Sequence, residues 1–163
     1  MTVLGIDPGL NHFGFGVIIE EGSLIRALGY GGYQVSREFS FEEKLGFIRG
    51  TFNGLADKYV PDAVAIERIY VAKNPQIALN IGMVAGVIAG AALDRRMRVL
   101  FLSPREIKKN LVGEGGAFKD QVSFMVGKIL NLKEVPDPDA SDALATALSY
   151  LTVRKFNALT ENL

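Results

Sequence analysis

Short apolar runs and one hairpin pattern predict that the chain begins with three β-strands. The apolar run Val3–Asp7 stops at a proline-glycine pair, which is typical of a buried strand that ends in a turn. Phe13–Glu20 and Leu24–Val35 have the pattern of two further strands, and Glu21 with Gly22 between them favours a tight hairpin. We therefore expect the first three strands to be antiparallel neighbours.

The rest of the chain alternates between helical and strand patterns. Ser40 with Glu43 forms a capping-box pattern, and apolar residues then recur at helical spacing until Pro61. Two later strands are predicted at Ala63–Glu67 and Arg98–Leu102. The later helices are predicted to begin at the Asn74 cap and at the Ser103 cap with Glu106, to span Phe118–Leu130, and to run from the Asp139 cap to about Phe156. This order predicts an α/β fold in which a five-stranded mixed sheet, three antiparallel strands and then parallel ones, is flanked by helices.

One segment, Ile77–Leu93, is apolar almost throughout. It is shorter than the roughly 20 residues of a membrane span, so we interpret it as a helix of a soluble domain. A helix that is apolar nearly all round must be buried on two sides, so the predicted helix from Pro75 to about Arg96 is the best candidate for a dimer interface. The alternative is that the chain's own helices cover it. Small residues recur along it at four-residue spacing, namely Ala78, Gly82, Gly86 and Gly90.

The composition excludes several kinds of metal and disulfide site but does not by itself identify the function. A chain of 163 residues fits one domain, which we place at residues 1–156 with a tail at 157–163. The chain has no cysteine and one histidine, His12, interpreted as a structural or surface residue. Disulfides, cysteine zinc sites and a zinc site with two histidines are therefore excluded within one chain. Any metal must have oxygen ligands, which favours magnesium or manganese.

The charge balance argues weakly against a nucleic-acid partner. The chain has 18 basic and 18 acidic residues, whereas nucleic-acid-binding domains are usually basic. Distribution matters more than the sum, and one stretch is rich in basic residues, which would give a basic face. The N-terminus shows no secretory leader, and we expect a cytoplasmic protein. The basic residues of that stretch are Arg95, Arg96, Arg98, Arg105, Lys108 and Lys109.

Four carboxylates are the candidates for catalysis. Asp7 and Glu67 each end a buried strand, while Asp139 and Asp142 lie three apart at a predicted helix start, so they share a face. Taken singly, each could be an ordinary turn or cap residue. If the first and fourth strands are neighbours, all four meet, and each ionised pair costs about 4 kcal/mol at about 4 Å. Two Mg²⁺ ions about 4 Å apart would remove that repulsion and could hydrolyse a phosphodiester.

Four sequence blocks resemble the RuvC family of Holliday-junction resolvases. They are G-I-D-P-G at Gly5–Gly9, A-I-E-R-I-Y-V-A-K-N at Ala65–Asn74, R-E-I-K-K-N-L-V-G-E-G-G-A-F-K at Arg105–Lys119 and D-A-S-D-A-L-A at Asp139–Ala145. The resemblance implies a ribonuclease-H-like fold and a bacterial, structure-selective endonuclease. Such an enzyme resolves four-way DNA junctions in recombination and repair, leaving 5′-phosphate ends.

The resemblance also implies roles for particular residues and partners. It assigns the metal ligands to the four carboxylates, with two Mg²⁺ per active site and Mn²⁺ as a substitute. It places Tyr70 against bases at the junction centre and Lys108 and Lys119 near phosphates. It further implies a homodimer and a link to the branch-migration complex RuvA-RuvB.

The residues themselves add further candidates. Arg68 and Lys73 flank Tyr70 and, with Arg105, could bind phosphate. For these basic residues the alternative is ordinary solvated charge, and for Tyr70 it is a partly buried loop position. Asp137 is interpreted as a loop residue, although its position would also allow it to replace Asp139 as a ligand.

Three other functions remain open at this point. An actin-like or sugar-kinase ATPase shares the opening block but needs a second lobe that 163 residues do not supply. A related nuclease could act on RNA or on simple duplex DNA. A catalytically silent DNA-binding subunit is disfavoured because all four carboxylates are present.

Overall fold

A single mixed sheet organises the protein, seen in a computed structural model that describes residues 1–68, 74–134 and 136–160. Its strand order is β3-β2-β1-β4-β5, which confirms the predicted neighbours. The strands are β1 Thr2–Asp7, β2 His12–Glu21, β3 Leu24–Gln34, β4 Ala63–Glu67 and β5 Arg98–Leu102. The helices are α1 Phe41–Tyr59, α2 Pro75–Asp94, α3 Pro104–Val112, α4 Lys119–Leu130 and α5 Pro138–Thr160.

Strand pairing brings the ends of β1 and β4 together. β1, β2 and β3 pair antiparallel, and Gly22 turns the β2–β3 hairpin with a positive φ of 64°. β4 joins β1 in parallel with Ile6 opposite Ile66, and β5 then joins β4 in parallel. Asp7 and Glu67 are the next residues of their strands, so both lie at the same edge of the sheet.

The predicted capping residues are confirmed at three helices and wrong at one. Ser40–Glu43 and Ser103–Glu106 form capping boxes, and the Asn74 side chain caps α2 ahead of Pro75. For α5, however, the capping residue is Asp137 and not Asp139, because the Asp137 carboxylate accepts from the backbone N–H of Ala140 at 3.0 Å. Asp139 is therefore free of the capping role. The same helix extends to Thr160, four residues beyond its predicted end. The predicted domain boundary after residue 156 stays a prediction.

Helices cover both faces of the sheet and give it two cores. α1 and α2 lie on one face, with residues such as Ile48, Phe52 and Ile88 fully buried. α3, α4 and α5 lie on the other face, where Leu144 and Val126 are fully buried. The carboxylates of the predicted site lie on the face of the sheet that α3, α4 and α5 cover.

α2 is buried on one side only. Val84, Ile88 and Ala92 pack into the core, but Leu79 and Met83 are exposed. Apart from the neighbouring residues and backbone of α2 itself, no heavy atom of the described residues lies within 4 Å of the position that a Cβ would take at Gly82, Gly86 or Gly90. The described part of the chain therefore leaves this face uncovered, so the alternative that its own helices bury the stripe is wrong. By length and composition alone, α2 would also be able to cross a membrane.

The basic stretch does not form one patch. Arg95, Arg96 and Arg98 precede or begin β5, whereas Arg105 and Lys108 lie on α3, after β5 has ended. A five-residue strand is roughly 17 Å long, which separates the two groups. Only the second group lies at the sheet edge that carries Asp7 and Glu67.

Candidate active site

Asp7 and Glu67 point to the side of the sheet that α5 covers. Along a strand, alternate residues face the same side, so Asp7 shares the orientation of Gly5, which abuts α5. Glu67 shares the orientation of Ala65, which is buried in the same core as α5. Both side chains are half-buried.

Small residues on the sheet let the start of α5 approach these carboxylates. A Cβ at Gly5 would lie 2.0 Å from the carbonyl oxygen of Ala143, and a Cβ at Gly14 would lie 2.4 Å from that of Asp139. Any side chain at either position would push the helix away. The close approach places Asp139 and Asp142, in the first turns of α5, over the end of β1.

Asp7 and Glu67 lie close enough to other carboxylates for the negative charges of these groups to raise the pKa of both. Burial, together with the negative charges of Asp142 and Asp139, raises the pKa of Asp7 to about 6. Burial, together with the charges of Asp7 and Asp142, likewise raises the pKa of Glu67 to about 8. Like charges and burial both disfavour ionisation, so this cluster has a strong affinity for a proton or a cation.

A lysine supplies one cation to the cluster. The Nζ of Lys119, at the start of α4, donates to Oδ2 of Asp142 at 2.7 Å. This hydrogen bond raises the pKa of Lys119, and the nearby charges of Asp142, Asp7 and Glu67 add to the effect. Lys108 also lowers the pKa of Glu67 through its charge. Glu67, Lys108, Lys119 and Asp142 line one cavity of about 230 Å³.

The carboxylate ligands suit a hard divalent cation, but the described side chains do not have the geometry of a metal-binding site. All four carboxylates offer the oxygen donors that Mg²⁺ and Mn²⁺ prefer, and the raised pKa values of Asp7 and Glu67 would be relieved by a cation. Among the residues described, no three such side chains already stand at metal-binding geometry. Since Lys119 holds Oδ2 of Asp142, a metal that binds this oxygen would have to displace the lysine.

Comparison with known proteins identifies the family. The profile of the family described as crossover junction endodeoxyribonuclease RuvC matches residues 3–150. The chain belongs to the RuvC family. A relative from Dictyoglomus thermophilum, described as crossover junction endodeoxyribonuclease RuvC, is 39% identical over 152 residues, which are 93% of this chain and 96% of the relative.

Solved RuvC structures share the fold. The structure of Thermus thermophilus RuvC superposes with a TM-score of 0.88 at 33% identity, covering 96% of this chain and 97% of that one. T. thermophilus RuvC in complex with Holliday junction substrate superposes with a TM-score of 0.86 at 30% identity and covers 96% of each chain. The ribonuclease-H-like fold is thus confirmed, and the chain is a member of a family of metal-dependent endodeoxyribonucleases.

The predicted DNA-binding residues of this RuvC family member are only partly described. Lys108 and Lys119 line the active-site cavity. Arg105 is exposed on α3, and Arg68 lies beyond Glu67 with its guanidinium 5.5 Å from the ring centre of Phe101. Tyr70 and Lys73 fall outside the described residues.

Sequence reasoning missed the ion pair between Lys119 and Asp142. The two residues are 23 positions apart and belong to different helices. No local spacing rule connects such residues, because only the packing of α4 against α5 brings them together. His12 is exposed, in agreement with its interpretation as a surface or structural residue.

Proposed function

We propose that this chain is a structure-selective endonuclease that resolves four-way DNA junctions by paired, metal-dependent hydrolysis of phosphodiesters. The observation that supports this most is the cluster of Asp7, Glu67 and Asp142 at one sheet edge beside Lys119. Homology adds the substrate class, because the T. thermophilus RuvC seen with a Holliday junction is 30% identical over almost the whole chain. The products would carry 5′-phosphate ends.

Asp7, Glu67, Asp139 and Asp142 would hold two Mg²⁺ ions, with Mn²⁺ as a substitute. When bound, the metals supply Lewis-acid chemistry, activating water and stabilising the leaving oxygen. The chain contributes the arrangement: two strand ends and one helix hold the carboxylates in fixed positions. Asp137 remains at the helix cap and outside the ligand set.

Basic residues around the cluster would hold the DNA backbone. Lys119 is best placed, since displacing its ammonium from Asp142 frees it for a phosphate in the same cavity. Lys108 lines that cavity as well. Arg68 and Arg105 would contact phosphates farther along the strand. On the resemblance, Tyr70 would contact junction bases with Lys73 beside it.

Cleavage of defined substrates tests the proposal. With Mg²⁺ present, we expect symmetric nicks in two opposite strands of a synthetic four-way junction, and ends that DNA ligase can reseal. A linear duplex of the same sequence and an RNA–DNA hybrid serve as controls and should remain largely intact. Preferred cleavage of the hybrid would point to the related nuclease class. Binding without any cleavage would point to a silent DNA-binding subunit.

A homodimer fits both this reaction and the exposed side of α2. Two cuts related by approximate two-fold symmetry call for two active sites, and two-fold dimers are the commonest oligomers. Leu79, Met83, Gly86 and Gly90 follow one helix face at the spacing i, i+4, i+7 and i+11, and this face is apolar and uncovered. A groove lined by Gly82, Gly86 and Phe101 connects it to Glu67. The α2 face would thus join two copies next to their active sites.

Gly86→Leu should weaken this dimer. In one copy the new side chain meets open space, and replacing glycine favours the helix by about 1 kcal/mol, so the monomer should stay folded. At a close interface the added bulk costs about 1–3 kcal/mol, which raises the dimer dissociation constant roughly 5- to 150-fold. Sedimentation velocity across protein concentrations measures this change.

Gly54→Leu is the matched control, because Gly54 is also an exposed helical glycine with open space around it, but on α1. It should leave the dimer unchanged. If Gly86→Leu dimerises as tightly as the unaltered protein, the interface lies elsewhere. A monomer at micromolar concentration for the unaltered protein would refute the dimer itself.

Two further proposals rest on family membership. Bacterial relatives process DNA, which favours action in the cytoplasm. The resemblance also implies that the enzyme works with the branch-migration complex RuvA-RuvB.

A further inference from the structure

Phe118 is a large aromatic residue that immediately precedes Lys119, one of the residues that line the active-site cavity. Its side chain is 78% exposed, and it occupies the N-cap position of α4. The next residue is Lys119, whose ammonium reaches Asp142. Since consecutive Cα atoms are about 3.8 Å apart, Phe118 lies directly beside the lysine that enters the carboxylate cluster.

The backbone of Phe118 is held firmly although its side chain is exposed. Its N–H donates to Oε1 of Gln121 at 2.8 Å, and its carbonyl accepts from the N–H of Gln121 and of Val122. The residue has an extended conformation, with φ −75° and ψ 156°. Ala117 before it is buried, and successive side chains of an extended segment point in opposite directions. The ring is therefore directed outward from a fixed base.

Its surroundings distinguish Phe118 from an ordinary exposed hydrophobic residue. Single apolar side chains on a surface are common and have no special meaning. Phe118, however, immediately precedes Lys119, which lines the active-site cavity together with Lys108. Cationic side chains that follow a DNA backbone, together with an aromatic ring that stacks on a base, are the combination by which proteins hold single strands.

We propose that Phe118 stacks on a nucleobase of the DNA strand that enters the active site, next to the phosphate that Lys119 contacts. This inference rests on the proposed function, since it needs junction DNA beside Lys119. Stacking would fix the position of the strand without reading its sequence, because every base has an aromatic face. It would also assign the lysine and the aromatic ring different tasks, charge neutralisation and strand positioning.

Binding measurements on variants of Phe118 test the proposal. The probe is a four-way junction with 2-aminopurine beside the scissile phosphate, titrated without divalent metal so that it is not cut. Phe118→Ala should weaken binding about tenfold, within the roughly 5- to 150-fold typical of base–aromatic stacking, and should abolish the quenching of 2-aminopurine. Phe118→Trp should restore both signals, whereas Phe118→Leu should restore neither.

Two comparisons separate stacking from charge and from general surface effects. Phe124 is a 61% exposed phenylalanine on the same helix, and Phe124→Ala should bind like the unaltered protein. Loss of Lys119 should lower the salt slope of binding by about one, whereas Phe118→Ala should leave this slope unchanged because no phosphate contact is lost. Thermal unfolding of each variant confirms that it is folded.

The outcomes distinguish this inference from the proposed function. If the unaltered protein does not bind junctions more tightly than duplex, the proposed function fails. If it binds them but Phe118→Ala has the same affinity and quenching, the stacking role alone is overturned. Rescue by leucine would also overturn it, because an aliphatic side chain cannot stack. A Phe118→Ala protein that has become monomeric would assign the ring to a protein interface instead.

Discussion

Asp7→Asn should abolish junction cleavage and leave junction binding nearly unchanged. Asp7 ends β1 at the centre of the cluster, and its pKa is raised by its own burial and by the charges of Asp142 and Asp139. An asparagine keeps the shape but offers a neutral oxygen, which is a poor ligand for a divalent metal. The residues proposed to bind DNA are other side chains, which this change leaves in place. We expect a loss of at least about 10³-fold in the rate of cleavage, and binding within about threefold of the original.

Asp137→Asn is the matched control for this change. Asp137 is also an aspartate near the start of α5, but its carboxylate caps the helix. Asparagine caps helices as well as aspartate does, so this variant should cleave junctions at nearly the original rate. Cleavage by Asp7→Asn at a normal rate would remove Asp7 from the mechanism. If Asp137→Asn were inactive and Asp139→Asn active, Asp137 and not Asp139 would be the metal ligand.

The individual strands and helix caps could be predicted from local patterns, and the convergence of the carboxylates followed once the first and fourth strands were taken as neighbours. Apolar runs that end in Asp7 and Glu67 predict two buried strands, and the β1–β4 pairing then brings their ends together. The caps at Ser40 and Ser103 were predicted correctly because a capping box is a pattern of four adjacent residues. The strands and capping boxes need no knowledge of distant contacts, whereas the convergence of Asp7 and Glu67 depends on the β1–β4 pairing.

The remaining features depend on packing and could not be predicted in this way. Asp137 and Asp139 both fit a helix start, and only the backbone geometry decides that Asp137 is the cap. The close approach of α5 depends on Gly5 and Gly14, which in the sequence look like ordinary strand glycines. The basic stretch seemed continuous because sequence distance hides the length of β5, which separates its two halves.

The cluster also has a consequence for stability, which Glu67→Gln should reveal. The pKa of Glu67 is about 8 in the folded protein, compared with an ordinary value of 4.5. A raised pKa means that the folded state binds the proton more tightly than the unfolded state does. The resulting stabilisation is complete below about pH 4.5 and is lost as the pH rises through about 8. Without metal, the protein should therefore become less stable over this range.

Glutamine cannot ionise, so the Glu67→Gln protein avoids that loss. Each pKa unit corresponds to about 1.4 kcal/mol, but Glu67 is partly solvated and titrates together with Asp7, so we expect a difference on the order of 3 kcal/mol at pH 9. For a chain of this size this is roughly 6–12 °C in melting temperature. The two proteins should melt together at about pH 4 and diverge as the pH rises, while Glu67→Gln loses cleavage.

Added Mg²⁺ and a second glutamate test the cause of this difference. Metal should stabilise the original protein at high pH and narrow its gap to Glu67→Gln, because the cation takes over the charge neutralisation that the proton supplied. Glu106→Gln should show no gain at high pH, since hydrogen bonds from Ser103 lower the pKa of Glu106 and stabilise its ionised form. Melting temperatures of Glu67→Gln and the original protein that run parallel from pH 4 to 9 would show that Glu67 is not held in a proton-binding cluster. If Mg²⁺ left the difference in melting temperature between the two proteins unchanged, the metal would bind somewhere other than this cluster.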